Sequence, residues 1–258
     1  MALDPAEKEL AAAIGFEADF CEAVKLLTGR AFQRLTVTTE EYAQQLGNGL
    51  SIRVDRQEVE HTMAKLQPQL ELQGYRAYWS EIRAPNGMTD SDEIAILRGT
   101  DPYEIIRHRR SNGGNYGVFT GDIIAKLKEW EASCRFQIFG AATDWVAIQF
   151  DSLPANVCGF AESIYLLCPD TVEQGVGLLH EREHPEVFAA ARELCPELSA
   201  EIRHTLDAQL AEFRGMDIPD NLRALFESGA GFGTPTDMGI RLLAYELERT
   251  KQLFLWWD

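Results

Sequence analysis

The segment Ile94–Phe150 constrains the fold most, because it holds the densest mix of strand, turn and helix signals in the chain. Its first part, Ile94–Leu97, is a short apolar run whose length is typical of a buried strand and not of a helix. Phe136–Phe139 and Trp145–Phe150 are two more strand-like runs, and Gly140–Asp144 joins them at the length of a hairpin loop. These strands and the helices predicted between them, within one stretch, predict an α+β domain.

A helix is predicted to begin at Thr100-Asp101-Pro102, where a capping side chain precedes a proline in the first turn. Tyr103 and Ile106 would face inward on this short helix. The run Arg107–Arg110 follows, and it is the densest cationic cluster in the chain. Cations in a last turn favour the negative end of the helix dipole, which is one interpretation of this run. Contact with an anion or a partner is the other.

The loop Asn112–Asn115 contains two glycines, which can adopt a positive φ angle at little cost. A phosphate-binding loop is disfavoured, because neither a Walker-type Lys-Ser/Thr nor a G-x-G-x-x-G pattern is present. Thr120 or Asp122 is predicted to cap the next helix. An apolar stripe at helical spacing marks the inner face of that helix and consists of Ile123, Ile124, Leu127 and Trp130.

The remaining segments complete a mostly antiparallel sheet covered by helices. Residues 1–49 are predicted to form an N-terminal helical segment, and residues 50–258 the main α+β domain. A helical insertion is predicted at about 178–235, before the last helix. The terminal run Gln252–Trp257 is apolar on both faces, which predicts a central or well-covered strand.

Charge and hydropathy limit the classes of partner. The net charge of −17 works against binding to nucleic acid through phosphates and is compatible with a basic protein partner, although it also serves solubility alone. No apolar stretch approaches the roughly 18 residues of a membrane span. Residues 1–8 lack the basic and apolar regions of a signal peptide. A cytoplasmic protein is therefore expected, without nucleic-acid or membrane binding.

The cysteines are five in number and scattered, without C-x-x-C spacing: Cys21, Cys134, Cys158, Cys168 and Cys195. An odd, scattered set predicts reduced thiols and no disulfide framework. Cys168 lies at a predicted helix end before Pro169 and Asp170. A catalytic thiol needs a partner histidine and a lowered pKa, whereas a buried small thiol would only pack under the helix end.

His180-Glu-Arg-Glu-His184 matches the H-E-x-x-H pattern of zinc proteases literally. Pro185 follows directly and disfavours helical geometry at His184. No third histidine follows at metzincin spacing. A charged, solvated turn is therefore predicted here, with no metal site and no cofactor.

Six motifs occur in order along the chain: Arg98-Gly-Thr-Asp-x-Tyr-x-Ile-Ile-Arg107, Asn112-Gly-x-Asn-Tyr116, Asp122-Ile-Ile-x-Lys-Leu-x-x-Trp130, Gly140–Trp145, Cys168-Pro-Asp170 with Gln174-Gly175, and Leu255-Trp-Trp-Asp258. Together they resemble the bacterial DUF4253 family, a domain family of unknown function. The resemblance covers about residues 50–177 and 236–258. It implies that members pass almost directly from the Cys-Pro-Asp segment to the last helix, so that residues 178–235 are an insertion. It implies no chemistry.

Two functional hypotheses remain open. The first is a non-catalytic protein-binding domain, such as an immunity or antitoxin-like protein that masks a basic surface. The second is an enzyme of unknown reaction that uses a polar groove near Asp101, Asn115, Tyr116 and Asp144, although no catalytic residue can be assigned. The candidate binding residues are Asp101, Tyr103, Arg107, Asn115, Tyr116, Asp144 and Trp145.

Overall fold

A computed structural model describes residues 2–39, 43–83, 89–99, 101–176, 182–215 and 236–258 of the chain. Its helices are α1 Pro5–Ile14, α2 Ala18–Thr28, α3 Val59–Glu71, α4 Glu104–Arg109, α5 Thr120–Trp130, α6 Val157–Leu167, α7 Pro185–Leu194, α8 Ala200–Gly215 and α9 Thr236–Thr250. Its strands are β1 Gln33–Thr38, β2 Gln44–Val54, β3 Tyr75–Arg83, β4 Thr89–Arg98, β5 Arg135–Ala141, β6 Trp145–Ser152 and β7 Gln252–Trp256. Short 3-10 helices cover Arg56–Glu58 and Gly114–Tyr116, and a π-helix covers Thr171–Val176.

The described strands form one seven-stranded sheet in the order β1-β2-β4-β3-β5-β6-β7. The pairs β1–β2, β2–β4 and β3–β4 are antiparallel, and β3–β5 is parallel. Gly140 makes the parallel approach possible, because a Cβ at this position would overlap the backbone of Trp79. The prediction of an α+β fold is confirmed, and the sheet predicted as mostly antiparallel is mixed, with the parallel pair β3–β5.

Two compact units divide the chain. Unit 1 comprises Met1–Asn112, Phe119–Ile124 and Ile138–Ala147. Unit 2 comprises Gly113–Val118, Ala125–Gln137 and Ile148–Asp258.

The core of unit 1 lies between the first three helices and the strands they cover. Phe20 of α2 stacks on Tyr75 of β3, with ring centroids 3.8 Å apart, and Phe16 packs against the same tyrosine at 4.9 Å. A capping box holds the start of α1, in which Asp4 and Glu7 each accept a hydrogen bond from the other's backbone. The N-terminal helical segment predicted for residues 1–49 is consistent with α1 and α2, and β1 and the start of β2 also fall within these residues.

The predicted hairpin of Phe136–Phe139 and Trp145–Phe150 is also confirmed, as β5 and β6 are neighbours in the sheet. Its turn is closed by a hydrogen bond from the backbone N–H of Ala142 to the carbonyl of Trp145, 3.0 Å long. Two short apolar runs and a connection of hairpin length are local features, which is why sequence alone suffices here.

The core of unit 2 contains two separate groups of side chains, one around Phe160 and one between α7 and α9. Phe160 of α6 packs edge-on against Trp130 and Phe150, with centroid distances of 5.0 and 5.5 Å. A separate cluster joins α7 to α9 through four buried residues, Phe188, Ala191, Met238 and Leu242.

The terminal strand β7 corrects one prediction. It belongs to the sheet, but it is the last strand in the order and not a central one. Leu253 and Leu255 are buried, whereas Phe254 is 44% exposed. A run that is apolar on both faces therefore does not require burial on both faces when its strand lies at an edge.

The disulfide between Cys158 and Cys195 corrects another prediction, since reduced thiols were expected throughout. The two cysteines lie 37 residues apart, and their Cα atoms are 5.6 Å apart. The odd count reflects three further cysteines that are free and buried, Cys21, Cys134 and Cys168. Sequence spacing missed the pair because only the fold brings α6 to the end of α7.

Other predictions fall partly outside the described residues. His180 and Glu181 of the H-E-x-x-H match lie outside the described residues. Within the predicted insertion, the described residues 182–215 are largely helical, as α7 and α8. No helix in the described ranges is both long and apolar enough to cross a membrane.

Candidate functional site

Asp101 and Arg107 hold the short helix α4 in unit 1. Asp101 accepts a hydrogen bond from the backbone N–H of Tyr103 (2.9 Å) through Oδ1 and one from Arg107 Nη1 (2.6 Å) through Oδ2. Arg107 also contacts Glu104 at 3.2 Å. The hydrogen bond to Asp101 is the main reason that the pKa of Arg107 is raised. The helix begins later than predicted, at Glu104, with Tyr103 as its N-cap and without a side-chain cap. Asp101 therefore closes the turn that leads into α4 and does not cap the helix itself.

Arg109, from the same cationic run, is buried in unit 1. It forms an ion pair with the buried Glu93, donates to Ser80 Oγ at 2.6 Å and donates to the carbonyl of Thr36 at 2.7 Å. The hydroxyl of Ser51 donates to the other oxygen of Glu93. A buried carboxylate is tolerated only when paired and hydrogen-bonded in this way. Arg109, within the run Arg107–Arg110, therefore has a structural role in the interior, which the sequence did not indicate.

Tyr103, Asp144 and Trp145 also lie in unit 1. Tyr103 and Trp145 are buried, and the ring of Trp145 packs against Trp79 with centroids 4.6 Å apart. Asp144 lies in the turn between β5 and β6 and is half-buried. These residues stabilise the sheet and its turn.

Asn115 and Tyr116 belong to unit 2 and to a small loop that a bridge between Gly113 and Val118 closes. The hydroxyl of Tyr116 donates to Asp170 Oδ1 at 2.7 Å. The side-chain amide of Asn115 donates to the backbone carbonyl of Asp258. This loop therefore contacts two segments that are distant in sequence.

Asp170 is the centre of these contacts and is only 2% exposed. Besides Tyr116, it accepts hydrogen bonds from Gln174 Nε2 (2.8 Å) and from the backbone N–H of Asp258 (3.0 Å). Three neutral donors thus stabilise the carboxylate. Burial and the hydrogen bond to Asp170 raise the pKa of Tyr116, so its hydroxyl remains a donor.

Cys168 lies beside Asp170 and is completely buried. Its thiol donates to the carbonyl of Trp256 at 3.0 Å, and the hydroxyl of Thr171 lies 3.1 Å from its sulfur. Burial raises the pKa of Cys168 to about 11. A thiol in this state is protonated near neutral pH and is a poor nucleophile. The structural interpretation of Cys168 is therefore favoured over the catalytic one.

Gly113 completes the arrangement by its lack of a side chain. A Cβ at this position would overlap the indole ring of Trp257, which is buried. Trp257 Nε1 donates to the carbonyl of Leu167 at 3.2 Å. The glycine therefore lets the loop lie against the tryptophan.

We call this arrangement the Asp170 cluster; its members are Gly113, Asn115, Tyr116, Cys168, Asp170, Thr171, Gln174, Trp257 and Asp258. Three of the six sequence motifs supply all but one of its members. Asn115 and Tyr116 were predicted as site residues, whereas the central role of Asp170 was missed. The co-occurrence of these motifs was the signal that could have indicated it.

The predicted polar groove is divided between two sets of contacts. The hydrogen bonds described above join Asp101 to Tyr103 and Arg107, and they join Asn115 and Tyr116 to Asp258 and Asp170. Among the residues that the structure describes, no group of three or more His, Cys, Asp or Glu is placed to hold a metal ion.

The family model described as "Domain of unknown function (DUF4253)" matches residues 93–258, which is more than half of the chain. The protein therefore belongs to the DUF4253 family. The match begins at residue 93, where the resemblance suggested residue 50, and its span includes residues 178–235. No curated protein and no solved structure matches the chain.

Proposed function

We propose that this DUF4253 protein is a non-catalytic binding protein that engages a basic protein partner, in the manner of an immunity or antitoxin-like protein. The observation that carries the proposal is the exposed carboxylates in the segment around α7 and α8. Six acidic residues in this part of the structure are exposed: Glu183, Glu186, Glu193, Glu197, Glu201 and Asp207. The exposed arginines in the same part are Arg182, Arg192 and Arg203. An excess of negative charge on one segment attracts a basic partner.

Internal ion pairs use several of the cations elsewhere in the chain. Lys25 pairs with Glu7 at 2.5 Å, Arg56 with Asp92 at 2.8 Å, and Arg107 with Asp101 at 2.6 Å. Arg109 is buried with Glu93. Since the chain carries 41 acidic residues against 24 lysines and arginines, pairing of this kind leaves the surplus charge negative.

Cys168, the thiol that the sequence offered for catalysis, already has a structural role, and so does the neighbouring Asp170. Cys168 is a buried donor with a raised pKa, and Asp170 accepts hydrogen bonds from Tyr116, Gln174 and Asp258. A general acid or base has to lie within hydrogen-bond reach of the substrate proton. Engagement of these two side chains favours binding over catalysis.

The proposal is tested by charge reversal in the native protein. Glu186→Lys, Glu193→Lys and Glu197→Lys, combined, should weaken capture of the partner isolated from the native cell at least tenfold in Kd. The control reverses three exposed glutamates elsewhere, Glu9, Glu60 and Glu131, which changes the net charge equally. Each set contains one glutamate in a first helical turn, Glu186 in α7 and Glu60 in α3, so dipole effects on stability are matched. Equal weakening by both sets would reject the α7–α8 segment as the binding surface.

An enzyme of unknown reaction is the second candidate, and one feature of the Asp170 cluster favours it. Tyr116 is 41% exposed although its hydroxyl is held by Asp170. Glu173 accepts a hydrogen bond from the Tyr165 hydroxyl, and desolvation raises the pKa of Glu173 although the residue is exposed. A carboxyl group with a raised pKa beside an oriented phenol is a combination found in acid–base sites. Tyr116→Phe discriminates the two proposals, because it should leave partner binding unchanged if the acidic segment is the binding surface.

A further inference from the structure

Two side chains of α6, one helical turn apart, hold the connection between α7 and α8. Cys158 forms the disulfide with Cys195, and Glu162 accepts a hydrogen bond from the backbone N–H of Ser199 at 2.7 Å. Residues 158 and 162 lie on the same face of a helix, and they hold two positions that are also four apart. The carbonyl of Cys195 accepts a further hydrogen bond from the guanidinium of Arg241 in α9.

The two cysteines differ in exposure. Cys195 is completely buried, whereas Cys158 is half-buried. A thiolate from another molecule can therefore approach the disulfide at Cys158, which leaves Cys195 as the departing group.

The helices on either side of Cys195 differ in how firmly they pack. On α7, Phe188 and Ala191 are buried against Met238 and Leu242 of α9. On the described part of α8, Ile202 is the buried apolar residue, and most other positions are exposed. Its remaining contacts with α6 include the hydrogen bond between Tyr165 and Gln209, 3.0 Å long. The position of α8 therefore depends on its anchor at residues 195–199 more than that of α7 does.

We propose that the Cys158–Cys195 disulfide is a redox latch, which fixes α8 when oxidised and loosens it when a protein dithiol reduces it. One thiolate of the dithiol attacks Cys158 Sγ, the bond between Cys158 and Cys195 breaks, and Cys195 leaves as a thiolate that takes up a proton. The second thiolate of the reductant then attacks the reductant sulfur that is bonded to Cys158. This closes the reductant's disulfide and releases Cys158 as a thiolate, which takes up a proton. Two electrons and two protons pass from the dithiol to the cysteine pair, and the reductant becomes a disulfide.

The reduced state has a place for the new thiol. The carbonyl of Leu194 lies 3.2 Å from Cys158 Sγ and can accept its hydrogen. Both redox states are therefore compatible with the packing of α6 and α7, while the covalent hold on residues 195–199 exists in only one of them. Because α8 carries Glu201 and Asp207, opening the latch also changes how part of the acidic segment is presented.

Hydrogen exchange measured by mass spectrometry on the full chain tests the latch without a partner. Dithiothreitol is the reductant, and an intact mass gain of two hydrogen atoms verifies the disulfide. We expect exchange in residues 195–211 to accelerate at least tenfold on reduction, while Phe188–Ala191 remains protected. The double variant Cys158→Ser, Cys195→Ser should exchange rapidly with or without the reductant.

The matched control is Cys134→Ser, because Cys134 is also a buried cysteine of unit 2 and donates to the carbonyl of Trp130 at 3.1 Å. It should respond to dithiothreitol as the unmodified chain does. The latch is rejected if reduction leaves exchange in residues 195–211 unchanged. It is also rejected if α6, α7 and α8 all lose protection together, since the disulfide would then be a general brace for unit 2. Failure of the charge-reversal test would leave this result unaffected.

Discussion

The hydroxyl of Tyr116 donates a hydrogen bond to the buried carboxylate of Asp170, 54 positions away in the sequence, at 2.7 Å. The same carboxylate accepts the backbone N–H of Asp258, which lies 88 residues further along the chain. One buried side chain therefore joins a loop, a helix end and the segment after β7. Loss of that side chain should affect all three.

Asp170→Ala should lower the free energy of unfolding by about 3 kcal/mol, because three donors lose their acceptor and those that remain buried are left unpaired. Urea denaturation followed by tryptophan fluorescence measures the change. Asp151→Ala is the control, since Asp151 is exposed in the same unit. Equal stability of the two variants would show that the Asp170 cluster contributes little to the fold.

Gly113→Ala should destabilise the protein by about 1–3 kcal/mol, because the added methyl group overlaps Trp257. Gly121→Ala is the control and should have the opposite effect. Gly121 lies in α5, and a methyl group added there would meet nothing within 4 Å. Alanine favours a helix over glycine by about 0.5–1 kcal/mol, so this variant should be slightly more stable. A neutral Gly113→Ala variant would mean that the loop does not need to lie against the tryptophan.

Removal of residues 253–258 should prevent cooperative folding. The deletion strips the buried side chains of Leu253, Leu255 and Trp257 from the protein. Loss of a large buried aromatic residue alone costs about 3–5 kcal/mol, against a total stability of about 5–15 kcal/mol. A soluble truncated chain with a sharp thermal transition would show that β7 is dispensable.

Stability should fall as the pH rises above about 9, because burial raises the pKa of Cys168 from 9.0 to about 11. Below pH 9.0 the thiol is neutral in both the folded and the unfolded chain, so the contribution of the buried Cys168 to stability is complete. Between pH 9.0 and about 11 the thiol ionises in the unfolded chain but not in the folded one, and this contribution is lost. Cys168→Ala should therefore show a smaller loss of unfolding free energy between pH 8 and pH 10, as measured in urea at both values. An identical loss in the variant would contradict this role for Cys168.

Local signals made part of this structure predictable from sequence. The β5–β6 hairpin follows from two short apolar runs joined at hairpin length, and the turn before α4 follows from Asp101 and Pro102. Both depend on residues within a few positions of each other. The same is true of the N-terminal helices, whose apolar stripes mark their inner faces.

Long-range relationships were not predictable, for reasons that individual residues show. Arg109 lies in a cationic last turn, which is typical of an exposed helix end. It is nevertheless buried, and it forms an ion pair with the buried Glu93 of β4. Cys195 pairs with a cysteine 37 residues away, and no spacing rule distinguishes that pair from the other combinations of five cysteines. Asp170 needed Tyr116 and Asp258 to be brought to it. In each case the partner is determined by the fold and not by the neighbouring sequence.

The association rate of the protein with its partner, measured by stopped flow at rising salt, tests the binding proposal most directly. Charge attraction acts mainly on the encounter and is screened by salt, so the rate should fall at least about tenfold between low and high ionic strength. The variant reversed at Glu186, Glu193 and Glu197 should start slower and converge on the unmodified rate at high salt. An association rate that ignores both salt and charge reversal would contradict the account.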